Sequence, residues 1–191
     1  MRGPMLMKSA SIALLLLVAA CSGQPVDTNY YLLRGDRLPE SRSLVASSDF
    51  ALGTVVVATY IDQPGIAFET GGGQIRPAQH HQWAEPMRQS VRSFLQREIS
   101  TLLGEDLFPV IMSSADTVLD IRVDQLHGTN DGEAVLFAYW WLREEGEILE
   151  PHQFGKTLPL KTDGYKALVE AEKALLDSLA REIADKLKDF P

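Results

Sequence analysis

Thiols are almost absent from this chain: Cys21 is the single cysteine in 191 residues. One thiol excludes an internal disulfide and a thiolate-rich metal site. Long apolar runs are missing too. The longest, over residues 10–20, falls short of the roughly 20 apolar residues that a membrane-spanning helix needs. Positive charge is scarce, with 18 Lys and Arg against 26 Asp and Glu and a formal net charge of −8. No basic patch is present that could neutralise phosphates, which excludes ordinary nucleic-acid binding. No Gly-x-Ser-x-Gly surrounds Ser113 or Ser114, so a nucleophile elbow is ruled out. Gly71-Gly72-Gly73 lacks the Gly-Lys-Ser/Thr ending of a phosphate loop. Internal repeats, coiled-coil heptads and low-complexity tracts are also missing.

What is present begins at the amino terminus. Arg2 and Lys8 precede the apolar run 12–18, which leads to Ala19-Ala20-Cys21. A basic start, a short apolar core and small residues before a cut site describe a secretory signal peptide. A cysteine directly after the cut makes it a bacterial lipoprotein signal. Residues 1–20 are therefore expected to be removed, and Cys21 to carry a covalent lipid, the only non-protein group expected. With that sulfur acylated, no cysteine nucleophile remains. Ser22 stands where an aspartate would hold such a protein in the inner membrane of a Gram-negative bacterium. The expected location is the periplasmic face of the outer membrane. Residues 21–28 read as a polar tether of roughly 25 Å when extended. Residues 29–191 remain for one domain, long enough to bury a sizeable core.

Residues 30–33 begin the domain as a strand. Residues 38–49 are rich in serine, arginine and acid and read as a loop. Residues 53–61 are dense in β-branched side chains and predict a central strand buried on both faces. Residues 66–69 and 74–76 flank the three glycines and predict a hairpin with a flexible tip. Residues 83–103 predict a helix, with Met87, Val91, Leu95, Ile99 and Leu102 on one stripe. Pro86 falls in its first turn and Gly104 at its C-terminal cap. In the segment 117–126, Leu119, Ile121 and Val123 alternate with Asp120, Arg122 and Asp124, the pattern of a half-exposed strand. Its return strand is 134–143, followed by a turn and a third strand at 148–154. A last helix runs over 164–188, with Leu168, Ala171, Leu175, Leu179, Ile183 and Leu187 in line and Thr162 or Asp163 as its N-cap. The expected fold is a single α+β domain: an antiparallel sheet with two long amphipathic helices packed on one face.

Candidate sites are few. His80-His81 with Glu85 lacks the His-Glu-x-x-His spacing of a zinc helix, so these residues read as polar lead-in to the helix and no metal is expected. Asp120 and Asp124 lie roughly 13 Å apart along a strand, too far to act together on one bond, and with Arg122 between them they read as a surface charge ladder. No nucleophile, base and orienting group can be assembled, so no catalytic residue is assigned and the protein reads as a non-enzyme. The aromatic strand is more informative. Alternation sends Phe137, Tyr139 and Trp141 to one face and Leu136, Ala138, Trp140 and Leu142 to the other. One set must meet the helices. The other is either covered by a loop, such as 38–50, or forms a protein interface, where Tyr and Trp are enriched. Phe137, Tyr139 and Trp141 are the candidate interface.

Five pieces, taken in order, resemble the PqiC type of ABC-type transport auxiliary lipoprotein. They are the cysteine followed by Tyr30-Tyr31-x-Leu33, Tyr60-Ile61-Asp62-x-Pro64-x-Ile66, Trp83-Ala84-Glu85-Pro86-Met87, the long strand with Trp140, and Gly164-Tyr165. Gln63, where arginine is expected, and the loose Gly71-Gly72-Gly73 tip depart from the pattern. The resemblance implies an outer-membrane lipoprotein of a three-part lipid-transport system concerned with membrane integrity. Its partners would be a periplasm-spanning MCE-domain tube and, indirectly, an inner-membrane transporter component. The lipoprotein would dock the far end of the tube as a homo-oligomeric ring. The family offers no catalytic residues to carry over, so Cys21 alone transfers as a site. Two other readings stand beside this one: a free-standing envelope lipoprotein that holds a lipid or other apolar ligand between sheet and helices, and a lipoprotein hydrolase using Ser113 or Ser114.

Overall fold

The computed structural model describes residues 26–35 and 48–190. The expectations for the signal segment and Cys21, and most of the expected loop at 38–49, lie outside the described residues. In chain order the elements are β1 (Asn29–Tyr31), β2 (Phe50–Val57), β3 (Gly65–Glu69), β4 (Ile75–Trp83), α1 (Met87–Leu103), β5 (Phe108–Pro109), a 3-10 turn (Val110–Met112), β6 (Thr117–Gly128), β7 (Glu133–Glu144), β8 (Glu147–Pro159) and α2 (Tyr165–Lys188). This is the expected α+β architecture.

All eight strands join one sheet, with β6 as its hub. Along one side β6 pairs antiparallel with β7, which pairs antiparallel with β8. On its other side it pairs in parallel with β2, and its end touches β3 through Phe68 and Gly128. The antiparallel pairing expected throughout holds for β3–β4 and β6–β7–β8, whereas β1–β4, β2–β5, β2–β6 and the short β3–β6 contact are parallel. Parallel neighbours need a long crossover. The β2–β6 pair has one, because β3, β4, α1 and β5 all lie between them in the chain.

Both helices lie on one face, α1 against β2 and α2 against β6, β7 and β8, and they pack on each other. The inward row of β7, Leu136, Ala138, Trp140 and Leu142, is buried beneath them with Leu119, Ile121 and Val123 of β6. The helix stripes hold: Met87, Val91, Leu95 and Ile99 of α1 are buried, with Leu102 only half-buried at its end, and Leu168, Ala171, Leu175, Leu179, Ile183 and Leu187 of α2 are buried. Gly104 ends α1 in the left-handed conformation (φ 81°), its N–H donating to Ser100 O at 3.0 Å.

Several boundaries differ from the sequence reading. Trp83 closes β4 instead of opening α1, because its N–H donates to Pro64 O at 2.7 Å. The helix starts only after Pro86, which holds an extended ψ of 128°. His80 and His81 are consequently strand residues. The N-cap of α2 is Gly164, at φ 101° and ψ 166°, a conformation open to glycine, and no side-chain cap from Thr162 or Asp163 forms. The second strand begins at Phe50 and ends at Val57, and its Thr54 and Val56 are exposed, so it is not buried on both faces. The third strand of the meander runs to Pro159.

Candidate functional site: the sheet face turned from the helices

Three side chains singled out from the alternation of β7 share the face turned away from the helices. Tyr139 is exposed (38 %), and Phe137 and Trp141 are half-buried. Strand register builds their surroundings. Val56, Arg122, Tyr139 and Gln153 form one row across β2, β6, β7 and β8. Asp120, Trp141 and Pro151 form the next. Gln125, Phe137 and Gly155 form a third. A Cβ on Gly155 would stand 3.3 Å from the Phe137 ring, so that ring covers the glycine of the neighbouring strand, a recognised way of protecting a glycine near a sheet edge. The Tyr139 ring meets Phe137 edge-on at 5.2 Å. Arg122, Asp124, Tyr139, Trp141 and Pro151 bound a shallow groove of about 490 Å³. Arg122 Nε donates to Asp124 Oδ1 at 2.7 Å on its rim. An open surface with aromatic floor and ionic rim suits a partner protein better than reaction chemistry.

Asp120 corrects the picture of a surface charge ladder. It is buried, with Oδ1 accepting the Thr54 N–H at 2.6 Å and Oδ2 accepting Arg143 Nε at 2.9 Å. The sheet register slips between Leu52 and Val55 opposite it, and the carboxylate satisfies the amide freed by that bulge. Gly53 is required there, since a Cβ would collide with Asp120 Oδ1. From the other face, Arg92 of α1 donates to Gly53 O at 2.6 Å. The bulge thus ties the helix layer to the aromatic face.

A second polar cluster lies where β3, β6 and the turn after β2 meet. Leu126 N–H donates to Tyr60 Oη at 3.2 Å, Tyr60 Oη lies 2.9 Å from His127 Nδ1, and His127 Nε2 lies 3.4 Å from Glu69 Oε2. Burial pushes the Tyr60 hydroxyl up to about 12 and the His127 imidazole below its usual range. A phenol held protonated and an imidazole held neutral make a strut between strands, not a nucleophile and base. On α2, Glu172 is fully buried, and burial pushes its carboxyl up to about 8. Sequence reasoning missed Asp120, whose burial depends on a remote bulge. It also missed Glu172, although its spacing of four from Leu168 places it on the buried stripe.

The remaining candidates have structural partners. His81 Nδ1 lies 2.9 Å from Tyr31 Oη, and its ring stacks on Tyr165 at 4.2 Å. Glu85 pairs with Arg34. Among the described residues no three His, Cys, Asp or Glu side chains gather as a metal site. No described helix is long and apolar enough to cross a membrane.

Comparison with known proteins agrees with this architecture. The chain is 26 % identical over 183 residues to the intermembrane transport lipoprotein PqiC of Escherichia coli (strain K12), covering 92 % of this chain and 95 % of that protein. The PqiC of Shigella flexneri matches equally. The crystal structure of a Xanthomonas campestris protein shares the fold with a TM-score of 0.63 at 15 % identity, over 85 % of this chain and 94 % of that one. Another crystal structure, of an uncharacterised protein, reaches 0.71 at 23 % identity, over 84 % and 99 %. Residues 31–184 match the family described as the ABC-type transport auxiliary lipoprotein component, a family of transport components and not of enzymes, and the chain belongs to it.

Proposed function

We propose that this protein is the outer-membrane docking subunit of an intermembrane lipid-transport system, anchored through a lipid on Cys21 and meeting a periplasmic MCE-domain tube as a ring of copies. The chain-long relationship to a lipoprotein of intermembrane transport carries the reading. The sheet face with Phe137, Tyr139 and Trp141 supports it by offering a partner an aromatic surface that the protein's own helices leave open. An inner-membrane transporter component would be reached only through the tube. No cofactor is needed for such a role.

The free-standing carrier fits the interior less well. An apolar ligand between sheet and helices would compete for space with Trp140, Leu136, Leu175 and Leu179, all fully buried there. The test is mild crosslinking of the lipidated full chain in its own envelope, followed by purification. Recovery of an MCE-domain protein is expected, and its loss on Tyr139→Ala and Trp141→Ala substitution would locate the contact. Repeated recovery of the lipoprotein without that partner would overturn the reading.

A further inference from the structure

We propose that the free edge of β8 is a self-complementary contact through which two copies of this chain pair about a two-fold axis. Among the described residues β8 pairs only with β7, so its other edge has no strand beside it. Backbone hydrogen bonds fix which residues face that edge. Val123 O accepts the Ala58 N–H on the β2 side of β6, so Arg122 turns its own peptide groups toward Tyr139 of β7. Trp140 then bonds toward His152 of β8, and Leu160 keeps the same phase, its N–H donating to Gly132 O at 2.8 Å. Even-numbered residues of β8 therefore bond to β7, and the odd-numbered ones turn their peptide groups outward.

The outward residues are Pro151, Gln153, Gly155, Thr157 and Pro159, all exposed, and their order is symmetric about Gly155. The two prolines carry no N–H. Between them Gln153, Gly155 and Thr157 each offer one N–H and one C=O. A second copy laid antiparallel, with Gly155 opposite its own counterpart, sets Gln153 opposite Thr157 and Pro151 opposite Pro159. Every outward N–H and C=O from Gln153 to Thr157 is then paired, and the residues with nothing to donate face each other. Sliding one copy by two residues either way sets the carbonyl of Thr157 or of Gln153 opposite a proline, without a donor. Edge prolines restrict strand pairing, and here they restrict it to one register with a second copy of the same edge.

The side chains leave room for that partner. Gly155 brings none to the axis, and the Phe137 ring covers it from within its own copy. Lys156, a residue type that commonly guards an edge, is drawn to the helix layer, its Nζ donating to Ser178 Oγ at 3.2 Å. The axis runs along the sheet normal, so both amino termini leave at one height and two lipid anchors can enter one bilayer. A ring needs head-to-tail contacts. The pairing is therefore a separate contact and does not rest on the docking reading.

The test uses the purified full chain in excess non-ionic detergent, with Gln153→Cys and Thr157→Cys made as separate variants and oxidised with copper phenanthroline. Hydrogen-bonded antiparallel partners have Cα atoms about 5.5 Å apart, within disulfide range. Each added cysteine lies roughly 13 Å along the strand from its own copy across the axis, which is out of range. A disulfide dimer is expected from the equimolar mixture and from neither variant alone, with the parent chain as the blank. The exposed pair Gln153→Lys with Thr157→Lys should weaken dimerisation about tenfold without lowering the melting temperature, and Gln153→Glu with Thr157→Lys should restore it. Amide exchange at Gln153, Gly155 and Thr157 should be slow in the dimer and fast after dilution to monomer. No dimer from the mixture, or as much from either variant alone, would overturn the proposal. Slow exchange in the monomer would overturn it by showing that the chain covers its own edge. Fast exchange at every concentration would overturn it too, leaving the edge to an extended segment of another protein.

Discussion

Glu172 shows how one side chain can set the pH response of the fold. It lies in the buried stripe of α2, and burial alone raises its carboxyl from 4.5 to about 8. Between those values the native state keeps a proton that the unfolded chain has released. Stability contributed by this group is therefore complete below the unfolded value and declines as pH rises through about 8. The slope can reach about 1.4 kcal/mol per pH unit. His127 works in the opposite sense. Burial lowers its folded value below 6.5, so its contribution is present above that pH and is lost on acidification. Above about pH 7.5 the imidazole is neutral in both states and Glu172 acts without it; between about pH 6.5 and 7.5 the residual histidine slope opposes that of Glu172 and is the smaller of the two. Thermal melts from about pH 6.5 to about pH 8.5 should show a falling melting temperature, and Glu172→Gln should flatten it and raise stability at the alkaline end. An identical slope in the variant would mean that Glu172 is ionised or hydrated in the native protein.

At the scale of one element, β7 places adjacent tryptophans in opposite environments. Trp140 is fully buried and stacks on His152 at 3.8 Å, whereas Trp141 lies half-buried over the open face beside Pro151. Trp140→Ala should cost roughly 3–5 kcal/mol, as large aromatic truncations in cores do. Trp141→Ala should leave chemical denaturation nearly unchanged and reduce the assembly mass measured by light scattering. Equal destabilisation by both would show that the open face serves folding and not association. This division was legible in the sequence because period-two alternation fixes which side chains share a strand face. The helix stripes of Met87 to Ile99 and Leu168 to Leu187 were legible for the same local reason. Parallel pairing of β2 with β6 was not, since it depends on the path of the intervening chain. Nor was the burial of Asp120, which follows from a bulge 66 residues away in sequence at Thr54. Trp83 looked like a helix residue because it adjoins the Met87 stripe, yet one hydrogen bond to Pro64 O assigns it to the sheet. The candidate site was half legible: the aromatic trio was readable, whereas its neighbours Val56 and Pro151 required the register.

For the molecule as a whole, the unanswered physical question is what holds it at a membrane. The formal charge of −8 opposes an anionic lipid surface, and no described helix can span a bilayer. The proposed lipid on Cys21 would supply what these cannot, at about 0.8 kcal/mol per buried methylene. Cys21 stands eight residues before β1, a separation that an extended tether bridges in roughly 25–30 Å. The folded domain would therefore remain close to the bilayer while free to orient its aromatic face toward a partner. Replacing Cys21 with Ser should abolish metabolic palmitate labelling and shift the protein from the outer-membrane fraction to the soluble periplasm. The melting transition of the domain should be unaffected, because Cys21 precedes every strand and helix described. Complementation of a membrane-integrity defect should fail in the same variant. If the variant is unlabelled but still fractionates with the outer membrane, attachment resides in the protein surface or its partner, and the docking geometry proposed here would have to be reversed. If it is soluble and still complements, proximity to the membrane is not what the transport system requires of this subunit.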